Sequence, residues 1–182
     1  MTPRVFSIQT LPVSAWKNGQ GITRTLMDAP GWRVSIATID RSCPFSTYSG
    51  MQRQQALLSG DGLEQITPTH ESLQLERAGP VLSFSGAVPL TCRLKGGAVT
   101  VLNVMFVPDR FPHAGIRSVT TAFIPDSIQD TIIVPVRGSW RVTCINNVVR
   151  HVTTGNIMRG RIQYIAPIAD HDTLCYVASS CM

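Results

Sequence analysis

Seven polar residues and two aromatic ones are the positions of this chain best suited to chemistry. Asn18, Thr23, Arg33, Ser35, Ser46, Arg53 and Asn103 carry hydrogen-bonding groups, and Trp16 and Phe45 supply apolar walls. A guanidinium offers paired planar donors that match a carboxylate. Arg33 and Arg53 at the mouth of one cavity would therefore suit a small anionic ligand. The same residues also admit a purely structural reading. In it the arginines form ion pairs or cap loops, and Trp16 and Asn18 only shape a turn.

Other chemistries find less support. The four histidines, His70, His113, His151 and His171, include no H-x-H pair. His70-Glu71 and His171-Asp172 are adjacent pairs, which a strand would turn to opposite faces. No metal and no cofactor are expected. Cys43, before Pro44, could act as a nucleophile only beside a base or in a cationic setting. Ser35 and Ser46 lack the G-x-S-x-G context of a nucleophile elbow. Asn18-Gly19-Gln20-Gly21 could cradle a phosphate if a helix followed, but residues 22–26 alternate like a strand. The binding reading is thus of a protein without catalytic residues, and the alternative is a metal-independent isomerase or lyase acting on a small anionic substrate. That alternative lacks an acid/base pair near the polar set, because His70 and His113 fall in predicted loops.

The elements that would hold these residues are strands. In residues 32–37 Trp32, Val34 and Ile36 fall on one face and Arg33, Ser35 and Ala37 on the other, so one face is apolar and the other can bind. Residues 99–107 are nearly all apolar and read as an inner strand covered on both faces, with Asn103 its strongly polar member. Further strands are predicted over 5–11, 51–58, 73–75, 81–84, 119–124, 131–136, 140–145, 164–166 and 174–177, punctuated by Gly and Pro. No window supports a long amphipathic helix. Residues 107–115 break the periodicity and mark a boundary between lobes 1–110 and 111–182.

At 182 residues the chain can bury roughly 70% of its unfolded surface. Its 43% hydrophobic and 15% charged residues describe a globular protein. The net charge of +5 is scattered, with no basic run of the kind that marks a nucleic-acid arm or a membrane patch. No signal peptide or membrane span is visible. Five widely spaced cysteines without a C-x-x-C pair fit a reducing cytoplasm.

Four motifs in order, Trp16-Lys17-Asn18-Gly19-Gln20-Gly21-Ile22-Thr23, Trp32-Arg33-Val34-Ser35-Ile36-Ala37, Pro44-Phe45-Ser46 and Gly50-Met51-Gln52-Arg53, resemble those of the HutD/Ves family. Phe84-Ser85-Gly86 and Leu102-Asn103-Val104-Met105 are similar to two later family patterns. The likeness covers residues 1–110. It implies an all-β bicupin of two jelly-roll-like β-barrel lobes, without catalytic metal, that binds a small acid related to histidine breakdown and modulates that pathway. The stress-related Ves branch fits equally well. Carried over, the motif positions are Trp16, Asn18, Gly19, Gly21, Thr23, Trp32, Arg33, Ser35, Phe45, Ser46, Gly50, Arg53, Gly86, Asn103 and Met105. The chain departs from the pattern at Gln20, where a glycine is usual, and at Gln52, Ala87 and Val101, where the family has Asp. Cupins often pair through edge strands, which leaves room for a homodimer without requiring one.

Overall fold

The computed structural model describes residues 3–16, 19–125 and 130–178. It divides into two compact units, Leu11–Pro112 and a second made of Met1–Thr10 with His113–Met182. Regular structure is almost all strand, with a single 3-10 turn at Ile8–Thr10. Among the described residues no helix is long and apolar enough to cross a membrane.

Strand β1 (Arg4–Ser7) is shorter than the expected 5–11. Ser7 ends it: its hydroxyl oxygen accepts from the Gln9 amide (3.2 Å) and its carbonyl accepts from the Thr10 hydroxyl (2.8 Å). Side chains that bond the local backbone in this way draw it out of the extended form. β1 pairs with a strand of the second unit, so the opening residues do not belong with the lobe predicted over 1–110.

The first unit comprises β2 (Val13–Ala15), β3 (Gly21–Ala29), β4 (Trp32–Ile39), β5 (Cys43–Pro44), β6 (Gln52–Ser59), β7 (Leu63–Ile66), β8 (Ser72–Leu75), β9 (Val81–Ser85), β10 (Thr91–Leu94) and β11 (Val99–Phe106). A six-stranded antiparallel sheet runs β2-β3-β4-β11-β6-β9, and a four-stranded sheet runs β5-β10-β7-β8. Ile39, Leu57 and Val101 from the first sheet meet Leu63, Leu75 and Cys92 from the second in one buried cluster. β11 lies between β4 and β6 with every residue but Thr100 buried, as its apolar run requires.

Register then decides which polar groups share a row. Asn103 stands opposite Ser35 on one side and Gln55 on the other, and Met105 opposite Arg33 and Arg53. A bulge between Thr25 and Met27 shifts the β3 pairing so that Met27 faces Val34. Met27 thereby leaves the face of Thr23 and Thr25, and its sulfur accepts from Trp32 Nε1 at 2.6 Å.

The second unit adds β12 (Gly115–Val119), β13 (Asp130–Arg137), β14 (Ser139–Cys144), β15 (Val149–Thr153), β16 (Asn156–Pro167) and β17 (Thr173–Ala178). Its sheet runs β12-β17-β13-β16-β14-β15, with β1 on β16. The strand predicted over 119–124 lies earlier in the chain. β17 starts at Thr173, so pairing ends at Val119 opposite Leu174, and Phe123 makes only an isolated bridge to Ile165.

The closed barrels expected for the two lobes are not what forms. Among the described residues each sheet is open, with edges at β2 and β9, at β5 and β8, and at β12 and β15. Closure needs an edge able to pair along its length. The three-residue β2 and the two-residue β5, which includes Pro44, cannot supply one.

Candidate functional site

The polar face of the six-stranded sheet opens into a cavity of about 530 Å³ within the first unit. Trp16, Thr23, Arg33, Ser35, Phe45, Ser46, Arg53 and Asn103 all line it. Asn18 lies outside the described residues. The alternation that separates Arg33, Ser35 and Ala37 from Trp32, Val34 and Ile36 places the first three in the lining and buries the others behind the sheet.

Trp16 forms one wall. Its indole Nε1 donates to the Thr23 hydroxyl at 2.8 Å, and its ring meets Phe45 edge to face with centroids 6.1 Å apart. Gly21 makes this possible. A Cβ there would lie 2.9 Å from the Thr38 carbonyl oxygen and 3.1 Å from the Trp16 ring. The Trp16 amide donates to the Gly21 carbonyl at 2.9 Å and ties the two residues together.

Arg53 is the most unusual residue of the site. Its side chain comes from β6, is only 6% exposed, and has its guanidinium carbon 5.6 Å from the Phe45 ring centre, 5.6 Å from Tyr48 and 5.3 Å from Phe84. Nη1 donates to the Ser46 carbonyl at 3.1 Å, while Nε is buried without a hydrogen-bond partner. Among the described residues no carboxylate pairs with it. Burial pushes its pKa down to about 10, partly opposed by Tyr48, so the group stays charged at neutral pH. Arg33 is different: it is partly exposed, 3.9 Å from Asp28 and 3.4 Å from the Thr25 hydroxyl. It has the ion pair of the structural reading, whereas Arg53 does not.

A row of amides runs from the cavity floor, where Gln55 and Asn103 line it, back to Gln65 behind them. Gln65 Nε2 on β7 donates to Gln55 Oε1 on β6, and Gln55 Nε2 donates to Asn103 Oδ1 on β11 at 2.5 Å. All three side chains are buried.

Residues 14, 15, 39, 47, 48 and 55 also line the cavity and were not singled out by sequence, as do Ala37 and Met105, which stood on the binding face and among the motif positions but were not named as ligand contacts. Gln55 and Met105 were within reach, each two places along a strand from Arg53 or Asn103 and hence on the same face. Tyr48 arrives from a loop and Ser14 from an edge strand, and neither carries a periodic signal.

Among the described residues the lining contains no histidine, carboxylate, thiol or amine. No group of three or more His, Cys, Asp or Glu residues is placed to hold a metal ion, again among the described residues. All four histidines are exposed. Cys43 is buried, and its pKa is raised by desolvation and then by Asp40, which is the reverse of an activated thiolate. Of the departures from the motif pattern, Gln52 lies on the strand face opposite Arg53, with Nε2 on Ser83 Oγ at 3.0 Å. Val101 sits in the apolar cluster.

A family model described as HutD matches residues 8–174. A Pseudomonas putida protein, described as an uncharacterized 21.2 kDa protein in the hutC 3′ region, is 36% identical over 110 residues, 57% of each chain. The chain thus spans little more than half of that relative's length. Protein Ves of Citrobacter koseri is 30% identical over 75% of this chain and 74% of its own. Among solved structures, HutD from Pseudomonas fluorescens SBW25, determined in a formate condition, superposes with a TM-score of 0.79 at 22% identity, covering 98% of this chain and all of that one. A cupin 2 conserved barrel domain protein from Leptotrichia buccalis gives 0.65 at 10% identity over 97% and 96% of the two chains. The fold is therefore cupin-like.

Proposed function

This chain belongs to the HutD family, and from that premise we propose that it is a non-enzymatic binding protein for a small carboxylate, built as two cupin lobes in tandem. Arg53 carries the reading. A guanidinium buried among three aromatic rings, with Nε unpartnered and no carboxylate beside it among the described residues, is a charge whose counter-ion those residues do not supply. A carboxylate in the cavity would complete it. Arg33 at the rim is a second cation, and the rings of Trp16 and Phe45 fit the apolar body of such an acid.

The position of the Pseudomonas putida relative beside hutC favours a modulator of histidine utilisation, working in the cytoplasm; the likeness to Ves keeps a stress-related role as the other setting. The alternative activity, a metal-independent isomerase or lyase, would need a group that passes protons. Among the described lining residues Tyr48, whose ring lies against the Arg53 guanidinium, carries a group of that kind, and it is the unpaired Arg53 charge that favours binding over turnover.

The test is a thermal-shift screen of acetate, glutamate, urocanate, formylglutamate and formiminoglutamate, with divalent metals alongside. An acid present at ~100 times its dissociation constant should stabilise the protein by about 2.7 kcal/mol. Arg53→Ala and Arg33→Ala should remove that stabilisation. If no acid raises the midpoint, or if both variants respond like the parent, the reading is wrong.

A further inference from the structure

We propose that Gln65, which does not line the cavity, determines which ligands the cavity accepts by fixing the polarity of the buried Gln65, Gln55, Asn103 amide row. The proposal rests on the carboxylate-binding reading and adds to it a preference for the carboxylate ion over the carboxamide of the same shape.

A primary amide has one oxygen that accepts and one NH2 that donates. Gln55 sits between the other two, with its oxygen taken by Gln65 Nε2 and its NH2 given to Asn103 Oδ1. With both ends of Gln55 committed, the three side chains can turn over only together. As the row stands, the oxygen of Asn103 is engaged by Gln55 on the neighbouring strand, and what Asn103 has left to offer the cavity is its NH2. The floor is then a donor beside the guanidinium of Arg53. A carboxylate, which only accepts, satisfies such a floor; a carboxamide would turn an N–H toward groups that also donate.

The row spans both sheets of the unit. Gln65 stands on the four-stranded sheet, and Gln55 and Asn103 are cross-strand partners on the six-stranded one. Gln65 is fully buried, and its own Oε1 has no hydrogen-bond partner. An orphaned acceptor at the far end of an otherwise connected row contributes nothing to the apolar core around it. Packing alone would be better served by Leu or Met at position 65. In the reverse direction Gln65 would bury an NH2 with neither proton bonded, a costlier orphan than a bare carbonyl oxygen, so the amide at position 65 sets the direction of the row.

The experiment measures binding of benzoate and benzamide by calorimetry to the parent, to Gln65→Met and to Arg53→Ala. The parent should prefer benzoate. Gln65→Met leaves Gln55 and Asn103 free to turn together, and should weaken benzoate about ten- to a hundredfold, the loss of one charge-assisted hydrogen bond, with benzamide little changed. Equal weakening of both ligands would mean that Gln65 only supports the fold, and no change in either would remove it from the site altogether. If the parent binds neither ligand, the carboxylate-binding reading falls with this one. If the parent binds benzoate in an Arg53-dependent way and Gln65→Met does not alter the preference, only the present inference falls.

A second measurement needs no variant and no ligand. In the unmodified protein the side-chain NH2 of Asn103 should exchange with solvent much faster than those of Gln55 and Gln65, seen in selectively 15N-labelled protein. Asn103 protected as strongly as Gln55 would show that the row runs the other way and would overturn the proposal.

Discussion

A buried cation without a protein partner is unfavourable in the free protein, because desolvation opposes the charge. At Arg53 three ring faces and the Ser46 carbonyl offset part of that penalty. Desolvation is the larger effect, as the lowered pKa shows, so Arg53→Met should leave the free protein at least as stable as the parent while abolishing stabilisation by carboxylates. Denaturant titration with and without ligand checks this, and a loss above about 3 kcal/mol would mark Arg53 as structural. The sign of the pH dependence follows from the same burial. The folded-state pKa, lowered to about 10, lies below that of the unfolded chain, so the native form loses this proton first and stability from this group rises with pH above about 10. Carboxylate affinity should do the opposite, staying level through neutral pH and falling once Arg53 discharges. The thiols are a further residue-scale case. Burial pushes Cys92 and Cys175 up to about 12 and also raises Cys43 and Cys144. Peptide mapping after iodoacetamide treatment at neutral pH should find all four unmodified in the native protein and labelled in denaturant.

Strand pairing explains what could and could not be read from the sequence. β4 and β11 were legible because their patterns answer to burial: Trp32, Val34 and Ile36 alternate with the cavity-facing residues, and 99–106 is apolar on both faces. β15 went unseen because Val149, Arg150 and His151 are exposed and its one buried residue is Val152, so no period marks it. The mismatch at 119–124 arose because β-branched residues identify a segment that can extend but not where its partner strand begins. The site shows the same division. Face alternation joins Arg33, Ser35, Arg53 and Asn103, but only register sets Asn103 between Ser35 and Gln55. A prediction belongs to this scale. Gly21→Ala sets a Cβ against the Thr38 carbonyl oxygen and the Trp16 ring, so the ring must leave its place against Phe45. Such crowding should cost about 1–3 kcal/mol. Carboxylate affinity should weaken as the wall retreats, and a variant with parental affinity would show that Trp16 is not part of the binding surface.

Taken as a whole, the molecule separates the residues of the proposed binding cavity from many of those that stabilise. Every residue lining the cavity belongs to the unit Leu11–Pro112. The second unit has its own fastening at Asp172, whose side chain is 6% exposed and whose Oδ2 accepts from the amides of Ser139 (3.2 Å) and Ala169 (3.1 Å). Those two bonds join the turn before β17 to the start of β14. Gly138, at φ +82°, lets the chain pass so close to this carboxylate that a Cβ there would overlap it. Asp172→Ala leaves two backbone donors without their charged acceptor, which should cost about 2–4 kcal/mol. For a chain of this size that is a fall in melting midpoint of roughly 4–15 °C. Carboxylate affinity, measured well below the new midpoint, should be unchanged, because none of the groups that would meet the ligand is touched. The expected pattern is the reverse of that for Arg53→Met, which spares stability and removes binding. If Asp172→Ala weakened binding in the fully folded protein, the cavity would have to draw on residues beyond its own unit, and the division between binding and stabilising residues would fail.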